Sequence, residues 1–165
     1  ARISIMTKTH PLNRPDVIGA ISSALVPLLL VLIGNGLIFA TGWMDQNSSF
    51  DRLENAPPGW FVGLMWTLIY PLWGLARWRV RLYSTASRML IGLMVWGFLY
   101  TIITGPAGPM TGAICNGISL LFVILASLLA ARRDRIALFL MVPSIIWVVF
   151  ANYLGLAALH AAPML

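Results

Sequence analysis

The chain has 165 residues, of which 59% are hydrophobic and only 10% are charged. Soluble domains carry about a quarter charged residues, so this composition excludes most of them. It also excludes a disordered chain, which combines low hydrophobicity with high charge. The single cysteine, Cys115, excludes an internal disulfide and a cysteine metal cluster.

Four charge-free runs predict membrane-spanning helices. They comprise 28 residues before Asp45, 22 before Arg77, 43 before Arg132 and the last 30 after Arg135. A membrane helix needs about 20 apolar residues, so three runs hold one span each and the longest holds two, with the Gly- and Pro-rich turn 104–109 between them. The sequence therefore predicts an all-α, polytopic membrane protein, a single domain over 1–165 built as a bundle of five transmembrane helices. The predicted spans are about 17–39, 60–80, 88–104, 110–131 and 136–159.

The positions of the basic residues predict how the chain is oriented across the membrane. Lys and Arg are concentrated in the amino-terminal segment and in the second and fourth connections, which alternate with connections that carry no excess of them. The positive-inside rule then predicts a cytoplasmic amino terminus and a carboxyl terminus on the opposite side of the membrane, here expected to be a bacterial inner membrane. The net charge of +6 is thus explained by topology, and no nucleic-acid partner is expected. The basic stretch 77–81 either anchors a helix end, which we favour, or attracts anionic lipid headgroups.

The second span carries an aromatic stripe. Trp66, Tyr70 and Trp73 follow one another at i, i+4 and i+7 and so share one helix face. Such a stripe usually serves packing, but buried indole N–H and phenol groups need hydrogen-bond partners. Gly63 and Gly74 on the same span predict close approach of a neighbouring helix.

The remaining intramembrane polar residues are Asn35, Asn116 and Asn152, and no ionisable acid, base or histidine lies near the middle of a span. Ion-coupled transporters and pumps usually need such groups, which argues against those classes. Interhelical hydrogen bonding explains the three asparagines at least as well as ligand contact. The chain also offers no paired acid and base, so we expect no enzyme and no metal or covalent cofactor, whereas a tetrapyrrole could bind by stacking.

Two segments resemble the signatures of a known family. Pro57-Pro58-Gly59-Trp60 is followed by Trp66, Tyr70 and Gly74, and upstream lie Phe50 and Leu53. The last span carries Pro143, Trp147, Phe150, Ala151 and Leu154. Over about 50–155 the chain resembles the tryptophan-rich sensory proteins and translocator proteins, or peripheral benzodiazepine receptors. The stretch 92–99 lacks the polar groups usual in the family, and no basic residue follows Tyr153, so the chain resembles a divergent member.

The resemblance and the stripe together imply a ligand pocket, lidded by the connection 40–59. Its expected lining residues are Trp60, Trp66, Tyr70, Trp73, Trp147, Phe150 and Asn152. The expected ligand is flat and hydrophobic, such as a porphyrin, a carotenoid or a sterol-like lipid, and the expected role is sensory or transport.

The expected partners are membrane lipids and either a second copy in a homodimer or a larger membrane-protein complex. The alternative function is therefore an accessory subunit of a photosynthetic or respiratory complex that reuses the scaffold.

Overall fold

The five predicted spans are confirmed as five helices. The computed structural model describes residues 16–43 and 56–161, so the central part of the predicted lid, with the family-like Phe50 and Leu53, lies outside the described residues. The basic amino-terminal residues Arg2, Lys8 and Arg14 lie outside them as well. The helices are α1 (Val17–Thr41), α2 (Gly59–Arg79), α3 (Ser84–Thr104), α4 (Pro109–Ala131) and α5 (Arg135–Ala161). Each is long and apolar enough to cross a membrane.

One boundary differs from the prediction, because α3 begins at Ser84 and not near residue 88. The prediction treated Arg88 as the end of a polar connection. In the structure Arg88 lies within the helix, where its exposed guanidinium Nε donates to the carbonyl oxygen of Ser84 at 3.2 Å. A long basic side chain can bury its stem on a helix and still reach the polar boundary, so a charge does not end a span.

Helix α2 is the centre of the bundle. It packs against α1, α3 and α5, while α4 packs against α3 and α5. Helix α1 lies along α2 and barely touches α3, and its buried residues are Pro27 and Val31. The polar contact that holds α1 comes from Asn35, whose Nδ2 donates to the Gly63 carbonyl at 3.0 Å and to Thr67 Oγ1 at 3.1 Å.

The two glycines of α2 lie where α1 approaches most closely. A Cβ atom at Gly63 would lie 3.3 Å from the ring of Phe39, and one at Gly74 would overlap the carbonyl oxygen of Ser23. Backbone therefore meets backbone at Gly74, which is the kind of approach that small residues allow between membrane helices.

The two basic connections meet at one end of the bundle, which we call the basic end. Arg79, the last residue of α2, pairs with Asp134, which directly precedes α5. The guanidinium of Arg133 lies 4.7 Å from the ring centroid of Tyr83. At the opposite end Trp43 packs against Gly105, in the turn between α3 and α4. Consecutive helices are thus antiparallel, and the basic residues of alternate connections lie together as predicted.

Candidate functional site

The aromatic stripe of α2 forms a cluster of rings. The centroids of Trp66 and Tyr70 are 6.1 Å apart, those of Trp66 and Trp73 are 6.0 Å apart, and those of Tyr70 and Trp73 are 5.2 Å apart. Tyr100 of α3 joins them, with its centroid 6.4 Å from that of Trp66. We call these four residues the aromatic cluster. Aromatic pairs at such spacings attract each other through their ring edges and faces as well as through area burial.

Tyr70 connects the cluster to α3. Its hydroxyl donates to the carbonyl oxygen of Met94 at 3.1 Å. Gly97 leaves room for this phenol, since a Cβ there would lie 2.7 Å from the hydroxyl oxygen. The phenol thus has the partner that burial requires, and its ring is fixed between α2 and α3.

Trp73 differs from Tyr70 because its polar group has no partner. Its side chain is 1% exposed, and its indole Nε1 is buried without a hydrogen-bond acceptor among the described residues. A buried donor without a partner costs free energy and calls for an explanation. Trp73 is packed against Trp66, which is half-buried and lies nearer the surface.

Three other predicted pocket residues form a separate group. Trp60 is 64% exposed on the first turn of α2 and contacts Phe61 with a centroid distance of 5.8 Å. Phe61 in turn contacts Trp147 of α5 at 6.1 Å, and Trp147 contacts Phe150 at 5.8 Å. The structure therefore divides the six predicted aromatic residues between a buried cluster near α3 and a more exposed group near α5. The intervening Phe61 was missed, because nothing in its spacing distinguished it from other apolar residues.

Asn152, the seventh predicted residue, belongs to a polar network that joins α3, α4 and α5. Its Nδ2 donates to the carbonyl oxygens of Asn116 and Val148, at 3.0 and 2.8 Å. Asn116 donates to the Ala151 carbonyl at 3.0 Å and accepts from the Tyr100 hydroxyl at 2.7 Å. All three asparagines thus make interhelical hydrogen bonds, which is the role that the sequence favoured for them. Tyr100 connects this network to the aromatic cluster.

A groove of about 570 Å³ lies between α1 and α3, and α2 forms its base. Tyr70 is the one predicted site residue that lines it. The groove also exposes Arg77 of α2 and the two serines Ser22 and Ser23 of α1. The sequence places Arg77 in the basic stretch but does not reveal a groove beside it, because the groove depends on which helices flank α2.

Arg79 and Asp134 hold the basic end together. The Arg79 Nε donates to Asp134 Oδ2 at 3.0 Å, and Asp134 Oδ1 accepts from the Ala137 amide at 2.9 Å, which caps α5. Burial by itself would raise the pKa of the Asp134 carboxyl. The hydrogen bonds from Arg79 and from the backbone amides of Ala137 and Ile136, with the charge of Arg79, outweigh it, so the pKa lies below its ordinary value.

We expect Asp134→Ala to destabilise the protein by about 1–2 kcal/mol, since it removes a helix cap and an ion pair that solvent partly screens. Because the carboxyl pKa is lower in the folded state, this contribution is complete above the unfolded pKa of about 3.9 and is lost as the pH falls through the folded value. Thermal unfolding in detergent between pH 7 and pH 3 measures it. Asp134→Asn, which retains a capping oxygen, should lose less stability than Asp134→Ala. A difference between wild type and Asp134→Ala that stays constant down to pH 3 would contradict the assignment.

The residues 16–43 and 56–161 contain no group of three or more His, Cys, Asp or Glu side chains that could hold a metal ion. The candidate site consists of the aromatic cluster, the unpaired indole N–H of Trp73 and the adjacent groove.

Comparison with known proteins gives two matches. A model of the TspO/MBR family matches residues 23–160. The tryptophan-rich protein TspO of Chlorobaculum tepidum is 25% identical over 117 residues, which make up 65% of this chain and 73% of that protein.

Proposed function

This chain belongs to the TspO/MBR family and is an integral membrane protein, and we propose that it binds a flat hydrophobic ligand at the aromatic cluster. The ligand class is a tetrapyrrole, a carotenoid or a sterol-like lipid, and the role is sensory or transport and not catalytic. The observation that carries the proposal is the buried indole Nε1 of Trp73, which has no acceptor among the described residues although it lies among aromatic rings.

The chemistry of the cluster fits such a ligand. Aromatic rings stabilise a flat π system by stacking and apolar burial, and the unpaired N–H can donate to an oxygen or nitrogen of the ligand. The two histidines of the chain are His10 and His160, and His160 lies in the last turn of α5, away from the cluster. A tetrapyrrole at the cluster would therefore be held by stacking and hydrogen bonding, and His160 would not serve as its axial ligand.

Trp66 is the residue at which the proposal is tested, because it is the half-buried tryptophan that covers Trp73. We expect Trp66→Ala to weaken the binding of protoporphyrin IX about tenfold, the loss that corresponds to one aromatic contact of about 1.4 kcal/mol. The dissociation constant is measured in detergent from the absorbance of the porphyrin, so that removing a tryptophan does not change the reporter.

Trp78→Phe is the matched control, because Trp78 lies at the basic end against Arg81 and outside the cluster. It should bind the porphyrin as the wild type does. Equal weakening by both variants would place the ligand elsewhere, and no binding by the wild type at micromolar porphyrin would remove the tetrapyrrole from the proposal.

A second candidate is the accessory subunit of a larger complex. It is favoured by α1, of which only Pro27 and Val31 are buried, so that many of its apolar side chains face lipid or a partner chain. Mass measurement of the protein released from native membrane in mild detergent discriminates between the two functions. An assembly with other chains supports the subunit, whereas a lone monomer or dimer supports the ligand-binding protein.

We also propose that the basic end faces the cytoplasm of a bacterial cell, since positively charged connections are retained on that side of the inner membrane. Cysteine labelling from outside the cell tests this orientation. A reactive cysteine at Arg132 should be protected in intact cells, and labelling there would reverse the topology.

A further inference from the structure

The groove between α1 and α3 has apolar walls and a polar mouth. Helix α1 contributes Val26 and Leu30, and α3 contributes Val95 and Leu99. Arg77 and the adjacent serines Ser22 and Ser23 lie on the parts of α2 and α1 that are nearest the basic end. The groove is thus amphiphilic along its length, with the charge at one end.

Arg77 has no polar partner in the described part of the chain. Its Nε is buried there without an acceptor. The neighbouring arginines differ, because Arg79 pairs with Asp134, and Arg81 donates to the carbonyl oxygen of Trp78. A cationic side chain with a buried, unpaired N–H favours an anion within hydrogen-bond distance.

The described part of the chain has no free carboxylate to supply that anion. The whole chain holds five acidic residues. Asp134 is paired with Arg79, and Asp16 accepts from the Gly19 amide at 2.8 Å as the cap of α1, without an ion pair to Arg77. The other three lie in the connection between α1 and α2, which joins the opposite ends of these helices. No carboxylate of residues 16–43 and 56–161 is therefore available to pair with Arg77.

The α3 wall of the groove is long enough to hold an extended acyl chain. On α3 its lining runs from Ile91 to Ile102, which is about 16 Å at 1.5 Å per residue. Half of a hydrocarbon core of about 30 Å is nearly the same length. An acyl chain that enters beside Arg77 would lie along this wall.

We propose that this groove binds one anionic phospholipid of the leaflet at the basic end. The lipid phosphate accepts from the Arg77 guanidinium and from the hydroxyl of Ser23, which makes no hydrogen bond to the described residues. One acyl chain lies in the groove against Tyr70 and Phe98. The site shares Tyr70 with the aromatic cluster but contains neither Trp66 nor Trp73, and it does not depend on the ligand proposed there.

Native mass spectrometry of the full chain with equal amounts of palmitoyl-oleoyl phosphatidylglycerol and phosphatidylcholine tests the proposal. We expect the wild type to retain one phosphatidylglycerol with about a fivefold preference, which corresponds to one basic residue near an anionic headgroup. Arg77→Gln should reduce the preference to about one. Val95→Trp, which fills the groove and leaves Arg77 in place, should lower the retention of both lipids.

Arg135→Gln is the matched control, because it removes the same charge at the same end of the bundle from an exposed position on α5. Helix α5 packs against α2 and α4, away from the two helices that form the walls of the groove. The Arg135→Gln variant should retain phosphatidylglycerol as the wild type does. Undiminished preference in Arg77→Gln would overturn the proposal, as would equal retention of both lipids by the wild type. Displacement of the lipid by millimolar glycerol phosphate would assign the site to a soluble phosphate. A lipid-free pair of chains would assign the groove to a second copy. Either result would also overturn the proposal.

Discussion

Replacing Gly74 with valine is expected to detach α1 from α2 and to lower the free energy of unfolding by about 3 kcal/mol, the upper part of the range for overpacked contacts. A Cβ at this position would overlap the carbonyl oxygen of Ser23 and would lie 3.0 Å from Pro27. A backbone carbonyl cannot rotate aside as a flexible side chain can, so the whole of α1 must move.

The cost should be large because α1 packs extensively along α2 and barely touches α3, so a shift at Gly74 disturbs the main contact of α1. Its movement would also remove the hydrogen bonds from Asn35 to Gly63 and Thr67. The free energy of unfolding is measured in mixed micelles by titration with a denaturing detergent and followed by circular dichroism. Gly36→Val on α1 is the matched control, because nothing lies within 4 Å of a Cβ at Gly36. If Gly74→Val unfolds at the same detergent fraction as Gly36→Val, the proposed backbone contact is wrong.

Replacing Asn116 with leucine is expected to cost about 2 kcal/mol. Asn116 is 2% exposed, and its amide joins Tyr100 of α3 to the carbonyl of Ala151 on α5. Single interhelical hydrogen bonds in membranes contribute about 0.6 kcal/mol on average, and the variant loses two of them and leaves the Tyr100 hydroxyl without its acceptor.

The same unfolding titration measures this loss, and a double-mutant cycle assigns it. In a Tyr100→Phe background Asn116→Leu should cost less, since the bond between the two residues is already absent. Ser127→Ala is the control on the same helix, because the buried Ser127 hydroxyl has no partner among the described residues and its removal should not destabilise the protein. Additive costs in the cycle would show that the bond does not contribute.

The sequence predicted the helices more completely than it predicted the site. Charge-free runs located all five spans, and the one displaced boundary, at Ser84, arose because the side chain of Arg88 reaches the polar boundary from within the helix. The stripe of Trp66, Tyr70 and Trp73 was predictable as one face, since helical spacing alone places these residues together. The distance of Trp60 from that cluster was not predictable, because it depends on Phe61 and Trp147 of another helix.

The number, the approximate bounds and the alternating direction of the helices follow from the order of residues alone. In lipid each span must satisfy its own backbone hydrogen bonds, so a long apolar run has one stable form. Which faces meet is not determined locally, because lipid tails are as apolar as the side chains and hydrophobicity does not distinguish one face from another. Only the packing of α1 on α2 at Gly74, beside a barely touching α3, created the groove and placed the unpaired Arg77 at its mouth.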